Sequence, residues 1–467
     1  MVGINERGNR RYVLMIIAQQ SSEMAIASYL TDPSTGGTRL MEIICEWENM
    51  RRAMKRVRLN NGAPGVDGMT VDQLPSYLRR HWPQLKEDLL NGKYQPMPVR
   101  RKEIPKPQGG VRLLGIPTAL DRMIQQAVAQ ILQPIWDLEF SNFSFGFRPG
   151  RCCHDAIYLA KRYVEEGYRH VLDMDLSKFF DRVNHDRLMF RLSTRVHDKR
   201  LLKLIRKFLT AGVMIGGLVE WTEEGTPQGG PLSPLLSNIV LDELDKELEH
   251  RGLRFVRYAD DFIIFIRSKR AATRVMKSVS CFITRKLKLK VNQEKSKITH
   301  PWWMCFLGFS FTSKRGDTRI RIHSKSFRRF KERVRELTDR NCGQSIHQII
   351  FKLNQYLRGW WNYYRITQGI SMFRSLNGWI MRRLRAILWK QWKNPRTRVR
   401  ELKKRGVFHR QAVTTGNARK GPWRMSRVKW LIIALKNEYF RRTLGLFLPG
   451  LKLLPDQPNR LSTRSVC

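Results

Sequence analysis

Two adjacent acids, Asp260 and Asp261, lie between apolar runs, Phe255-Val256 before them and Phe262-Ile263-Ile264-Phe265 after. Residues 253–267 read as two buried strands around Ala259-Asp260-Asp261, a β-hairpin with its acids at the turn. Two carboxylates at one tip repel each other unless a cation lies between them. A second strand, predicted over 170–176, ends near a third acid, Asp175. If hairpin and strand are neighbours, Asp175, Asp260 and Asp261 converge on one point. Clustered carboxylate oxygens are hard ligands of the kind Mg²⁺ takes, with substrate phosphates completing its shell. Two such ions about 4 Å apart activate a hydroxyl nucleophile and stabilise a leaving pyrophosphate. Phosphoryl transfer asks little more than positioning and charge neutralisation. An isolated Asp-Asp pair is more often an ordinary turn, so the reading needs support elsewhere in the chain. Asp173 points the same way as Asp175 in a strand, but is not taken as a ligand.

The surrounding elements are those of an α+β fold. Helical periodicity covers 41–59, then stops at a dense turn cluster, Asn61-Gly62, Pro64-Gly65 and Asp67-Gly68. It returns over 119–136, 153–165, 185–192, 198–210 and 232–248. Residues 213–221 read as a strand or hairpin. In the helix over 232–248, the acids Asp242, Glu243, Asp245, Glu247 and Glu249 fall mainly between apolar positions and read as a solvated face. Strands mix with helices to about 312, and beyond Ser324 the pattern is almost wholly helical.

Charge narrows the partners. The 467 residues hold 87 Lys and Arg against 40 Asp and Glu, a net charge of +47. The last 147 residues carry 35 basic and 6 acidic side chains, net +29, and residues 340–400 contain no acid. Such a charge repels itself unless a polyanion shares the site, and nucleic acid is the first candidate. Seven of the 13 tryptophans lie at or after Trp360. Basic residues interleaved with aromatics read as a surface that grips phosphates and packs on sugars or bases; a helical core with a basic outer face is the alternative. No apolar run approaches the roughly 18 residues needed to span a bilayer. With no secretion signal evident, the expected location is cytoplasmic. The seven cysteines form no C-x-x-C pair, which argues against a zinc site or a disulfide framework.

The motifs then resemble a known family. Tyr258-Ala259-Asp260-Asp261 is similar to the signature of reverse transcriptases. Residues 175–181 (Asp-Leu-Ser-Lys-Phe-Phe-Asp) resemble their first catalytic-aspartate motif. Residues 226–234 (Thr-Pro-Gln-Gly-Gly-Pro-Leu-Ser-Pro) resemble the segment beside the incoming nucleotide. Ile104-Pro105-Lys106-Pro107, Arg112 and Leu114-Gly115-Ile116-Pro117 resemble the fingers motif, and residues 144–150 (Ser-Phe-Gly-Phe-Arg-Pro-Gly) another family segment. They occur in the family's order. Residues 357–364 (Leu-Arg-Gly-Trp-Trp-Asn-Tyr-Tyr) resemble the helical maturase or thumb region of group II intron-encoded reverse transcriptases. Residues 388–393 and 421–424 resemble the compact bacterial class C form.

The resemblance implies a right-hand polymerase. Fingers and palm would span 41–312, an all-α thumb or maturase region 313–400, and a basic DNA-binding extension 401–467. Residues 1–40 match nothing in the family and read as a poorly ordered leader. Asp175, Asp260 and Asp261 would hold two Mg²⁺ ions. Lys106 and Arg112 would neutralise the triphosphate. Phe180 would pack where a 2′-hydroxyl protrudes and favour deoxynucleotides. Gln228 would line the nucleotide pocket, and Lys295 would act near the leaving pyrophosphate, as a general acid. Phe306, Leu307 and Gly308 would help place the primer end. The implied partners are intron RNA, an RNA template with a DNA primer, target DNA and deoxynucleoside triphosphates. The implied functions are RNA-templated DNA synthesis and a maturase role that stabilises folded intron RNA. A domesticated reverse transcriptase in defence or repair, and a splicing-only RNA-binding maturase, are the rival readings. With no His, Asn and paired-Cys set near its end, the chain is expected to lack an endonuclease and to draw primers elsewhere, as from nascent strands at a replication fork.

Overall fold

The computed structural model describes residues 39–105, 110–215, 218–220, 224–225, 229–312 and 316–450. They form two compact units, the first ending at His300 and the second starting at Pro301. The expected functional division at 312 thus falls inside the second unit.

The first unit is the expected mixture of helices and sheets. It runs α1 (Leu40–Ile44), α2 (Trp47–Leu59), α3 (Leu74–Leu90), β1 (Val99–Pro105), β2 (Val111–Ile116), α4 (Ala119–Asp137), α5 (Cys153–Glu165), β3 (His170–Met174), α6 (His185–Ser193) and α7 (Lys199–Leu209). It continues β4 (Val213–Ile215), β5 (Leu218–Glu220), α8 (Ser233–His250), β6 (Arg254–Tyr258), β7 (Asp261–Ile266), α9 (Lys269–Arg285) and β8 (Lys297–Thr299). The strands make two four-stranded sheets, ordered β2-β1-β4-β5 and β6-β7-β3-β8.

The second sheet carries the acids. β7 sits between β6 and β3, and Phe262 through Ile266 are all buried. A strand covered on both faces has no solvent side to alternate toward, which is why its sequence is a continuous apolar run. α8 packs beneath with Leu235, Leu236, Ile239, Leu244 and Leu248 in the core. α4 starts at Thr118, whose hydroxyl accepts from the Asp121 N–H at 3.0 Å, a cap worth about 1 kcal/mol.

Two expectations change. The helix expected over 41–59 is two helices broken at Cys45-Glu46. Asn49 supplies the cause: its side-chain amide donates to the Ile44 carbonyl at 2.9 Å and to Ala127 at 3.2 Å. Leu40, counted with the leader, lies in the core; residues 1–38 fall outside the described residues. The acids of α8 are not all on a solvated face. Asp242 and Asp245 are fully buried, Asp242 paired with Arg191 (2.9 Å) and Lys246 (2.6 Å), and Asp245 with Arg257 (2.5 Å).

The second unit pairs β9 (Phe309–Phe311) antiparallel with β10 (Ile320–Ile322). It then turns helical, with α10 (Ser324–Leu337), α11 (Ile346–Tyr364), α12 (Ile370–Gln391), α13 (Pro395–Lys404), α14 (His409–Gly416), α15 (Pro422–Met425) and α16 (Lys429–Ala434). Ser345 and Gln348 close a capping box on α11, satisfying two otherwise orphaned donors. The tryptophans correct the expected surface. Trp360, Trp389 and Trp392 are buried. Arg398 stacks over Trp389 at 4.7 Å and Arg405 over Trp392 at 5.1 Å. Here much of the basic–aromatic interleaving is arginine covering a tryptophan core. Among the described residues no helix is long and apolar enough to cross a membrane.

Candidate active site

Register brings the acids together. β3 pairs antiparallel with β7, with Met174 opposite Phe262. Asp175 is the next residue after the paired end of β3, as Asp261 is the residue before Phe262 at the start of β7. On the other side Tyr258 pairs with Asp261, leaving Ala259 and Asp260 as a two-residue turn. Ala259 takes a left-handed φ of 57°, a conformation that costs a non-glycine residue about 1 kcal/mol or more. Each acid therefore lies on, or within one residue of the end of, a strand of this sheet.

The segment around Asp175 is fastened by the loop before β8. The Asp175 N–H donates to Ser296 Oγ at 3.1 Å, and its carbonyl accepts from the Asn292 N–H at 2.8 Å. The same loop carries Lys295, whose Nζ lies 3.7 Å from Asp175 Oδ2.

Electrostatics marks the cluster as one that wants a cation. Burial lifts Asp260 above the usual carboxylate range and Asp175 adds to the lift, while its own backbone N–H, Arg112 and Arg257 hold it down. Asp261 is pushed up to about 6, first by burial of its carboxyl against the strand junction, then by Asp260, Asp175 and Asp173, with Arg112 opposing. Carboxylates that raise one another's affinity for protons offer the hard oxygens and negative field a divalent ion takes up. Among the described residues no three acidic, His or Cys side chains gather tightly enough to hold a metal alone. The residues fit an ion of the Mg²⁺ kind, which keeps waters and substrate phosphates in its shell.

A cavity of about 650 Å³ opens in the same unit. Phe180 lines it, together with the cations Arg101, Lys178, Arg182, Lys288 and Lys290. Lys178 has a left-handed φ of 50° and initiates a short 3₁₀ turn, Phe179–Asp181, that presents Phe180. Phe180 packs edge-on against the buried Phe179, their centroids 5.2 Å apart. Two acids, Asp181 and Glu224, line it as well, so the five cations leave an excess of positive charge that suits a polyphosphate.

Of the remaining expected residues, Arg112 sits in β2 opposite Ile104 and acts on both Asp260 and Asp261. Lys106 and Gln228 lie outside the described residues. Phe306, Leu307 and Gly308 belong to the second unit. Leu307 and Gly308 both have positive φ (50° and 81°), and Phe306 and Phe309 exchange backbone hydrogen bonds across them at 3.2 and 2.9 Å. That is a primed two-residue turn, and Tyr363 pins it by donating its hydroxyl to the Leu307 carbonyl at 2.9 Å.

Sequence reading missed Arg257, Asn238 and Asp245, which lie buried behind the hairpin. The signal was present: an arginine inside an otherwise apolar strand must find an anion, and the acids of α8 were the nearest supply.

The chain matches the family "Reverse transcriptase (RNA-dependent DNA polymerase)" over residues 104–311 and "Group II intron, maturase-specific domain" over residues 327–406. It is 35% identical to Protein YkfC of Escherichia coli over 351 residues, covering 66% of this chain and 92% of that one. It is 31% identical to the group II intron-encoded protein LtrA of Lactococcus lactis over 347 residues, covering 60% of this chain and 58% of LtrA. The matched span is thus nearly the whole of the first relative and little more than half of the second. A solved chain of a "Partial Cas6-RT-Cas1--Cas2 complex" aligns over 53% of this chain and 43% of its own, at 26% identity and a TM-score of 0.35.

Proposed function

The chain belongs to the group II intron-encoded reverse transcriptases, RNA-directed DNA polymerases with a maturase domain, and we propose that its polymerisation runs at the strand junction of Asp175, Asp260 and Asp261. The observation that carries this reading is the register: Met174 pairs with Phe262, so Asp175 follows the paired end of β3 where Asp261 begins β7, with Asp260 in the adjoining turn. These three carboxylates would hold two Mg²⁺ ions. When bound, the ions supply activation of the primer 3′-hydroxyl and neutralisation of the pyrophosphate that leaves.

The chain's own residues do the rest. Arg112 and Lys106 draw the triphosphate, and Arg112 already acts on the acids that face it. Phe180 lines the cationic cavity, and there it would pack where a 2′-hydroxyl protrudes and favour deoxynucleotides. Gln228, outside the described residues, would line the nucleotide pocket near the sugar. Lys295, beside Asp175, supplies a proton to the leaving pyrophosphate. Phe306, Leu307 and Gly308 form a stiff turn that places the primer end. The template is intron RNA, the primer and target are DNA, and the work is done in the cytoplasm.

The maturase match over residues 327–406 favours a second role beside synthesis: holding folded intron RNA through the basic helical unit while the RNA itself splices. The two roles separate in one experiment. Asp260→Ala should abolish primer extension on an RNA template while intron binding and splicing support persist. Retained extension would remove the polymerase assignment, and loss of splicing at undiminished RNA affinity would remove the division of labour.

A further inference from the structure

The turn that carries Asp260 is gripped from behind. Arg257, two residues before Ala259 on β6, has a wholly buried guanidinium, as does its partner carboxylate on Asp245. Its Nε donates to the two Asp245 oxygens at 2.8 and 3.0 Å, and one terminal nitrogen donates to Asp245 Oδ2 at 2.5 Å. The other terminal nitrogen donates to Asn238 Oδ1 at 2.8 Å and to the Ala259 carbonyl at 3.0 Å. Asn238, also buried, passes the grip onward by donating Nδ2 to the Gly146 carbonyl at 2.9 Å.

Gly146 closes the circuit. A Cβ built on it would lie 2.2 Å from the Ala259 nitrogen and 2.9 Å from the Tyr258 carbonyl carbon, so the loop backbone rests directly on the turn. The segment just before it exchanges backbone bonds with β6: Phe145 N–H to Arg257 O and Arg257 N–H to Phe143 O, each 2.9 Å. Arg148 fixes the far end, with Nε 2.7 Å from Asp137 Oδ1 and a terminal nitrogen donating to Ser141 O at 2.6 Å and Ser144 O at 3.0 Å.

A buried ion pair is a poor way to gain stability, because desolvation offsets most of the attraction. It is a good way to fix direction, because a guanidinium offers donors in one rigid plane. The atom fixed here is the Ala259 oxygen. That oxygen lies in the planar peptide joining Ala259 to Asp260, so holding it sets how Asp260 leaves the turn. The positive φ of Ala259 is the strained conformation such a clamp maintains.

We propose that Arg257, Asn238 and Gly146 are positioning residues that orient the Asp260 carboxylate for metal. The proposal deepens the polymerase reading and rests on it. None of the three touches substrate; each acts through Asp260.

The test uses the full-length chain in steady-state primer extension on an RNA template. Asn238→Ala removes the bridge and leaves the Arg257–Asp245 pair. Gly146→Ala leaves every hydrogen-bonding group in place and pushes the turn. Both variants should lose about 10- to 100-fold in kcat, the scale of an ångström-level misplacement, with template–primer KM within about twofold. Both should need several-fold more Mg²⁺ for half-maximal rate, and Mn²⁺ should recover part of the loss. Thermal unfolding measures the folded fraction of each sample and, without turnover, its stabilisation by Mg²⁺, which should need several-fold more Mg²⁺ in both variants than in the parent. If Asn238→Ala does not fold, Gly146→Ala decides. Wild-type kcat and Mg²⁺ requirement in a folded variant would overturn the proposal. So would a loss fully accounted for by the unfolded fraction, or one that Mg²⁺ concentration does not move. Asp260→Ala is the control: if that variant still extends primers, the polymerase reading itself has failed; if it is inactive while both positioning variants match wild type, only the clamp has failed.

Discussion

Lys295 Nζ stands 3.7 Å from Asp175 Oδ2, with 66% of the lysine side chain and 35% of the aspartate side chain open to solvent. An ion pair so exposed contributes about 0–1 kcal/mol, so its place beside the acids is better explained by chemistry than by stability. Lys295→Ala should leave thermal unfolding nearly unchanged and lower kcat about 100-fold, the lower range for losing a general acid. Lys295→Arg restores the charge with a group that does not release a proton near neutral pH. It should restore nucleotide KM but not kcat. Recovery of kcat by arginine would reduce Lys295 to a phosphate contact.

Asp261 gives a pH prediction for metal-free protein. Its carboxyl is pushed up to about 6 in the fold, against 3.8 ordinarily. Between those values the folded chain holds a proton that the unfolded chain has released, so stability falls as pH rises through about 4 to 6. The side chain is exposed on one side, so screening limits the contribution to under about 1 kcal/mol. Melting curves in EDTA, taken for the parent and for Asp261→Asn, should diverge across that window, the variant gaining as pH rises. Added Mg²⁺ should stabilise the parent more at pH 7 than at pH 5. A parent that gains on the variant with rising pH would reverse the sign and refute the argument.

Phe180 should decide between sugars. It stands in the wall of the 650 Å³ cavity among five cations, and a smaller side chain opens space there without touching charge. Phe180→Val should raise ribonucleotide incorporation about 10- to 100-fold, the scale of one methylene's worth of space in a pocket, and leave deoxynucleotide kcat within severalfold. Competition between ribo- and deoxynucleoside triphosphates in single-nucleotide extension measures it. Unchanged discrimination would make Phe180 a packing residue beside Phe179.

Much of this site was legible because its positioning elements are periodic. The hairpin around Asp260 and Asp261 betrays itself by two apolar runs, and the helix over 153–165 by its amphipathic pattern. What stayed hidden depended on side chains choosing partners across the fold. Asp242 and Asp245 share a helix with Glu247 and look like it, yet Arg191, Lys246 and Arg257 draw the first two inside. The break between α1 and α2 has no glycine or proline to announce it, because Asn49 makes it by reaching back to Ile44. Composition also misled at the tryptophans: a count of basic and aromatic residues cannot tell an arginine facing phosphate from one lying over an indole.

The tryptophans supply the last prediction, since core and surface readings differ in what they lose. Trp389 is 0% exposed, with Arg398 stacked over it at 4.7 Å. Trp423 is 36% exposed, with Arg382 over it at 3.7 Å. A buried indole truncated to alanine costs about 3–5 kcal/mol through lost burial and the cavity left behind. Trp389→Ala should therefore lower the unfolding midpoint of the helical unit by many degrees, while the milder Trp389→Phe should keep wild-type RNA affinity in the protein that remains folded. Trp423→Ala should cost about 1 kcal/mol or less in stability. Because its ring stays accessible and residues 402–437 around it contain no acid and attract phosphate, it should weaken RNA binding at low salt instead. Paired melting and filter-binding measurements give both quantities from one preparation. If Trp389→Phe loses RNA affinity at full stability, then the indole under Arg398 reaches nucleic acid, and the arginine shield is a gate instead of a cover.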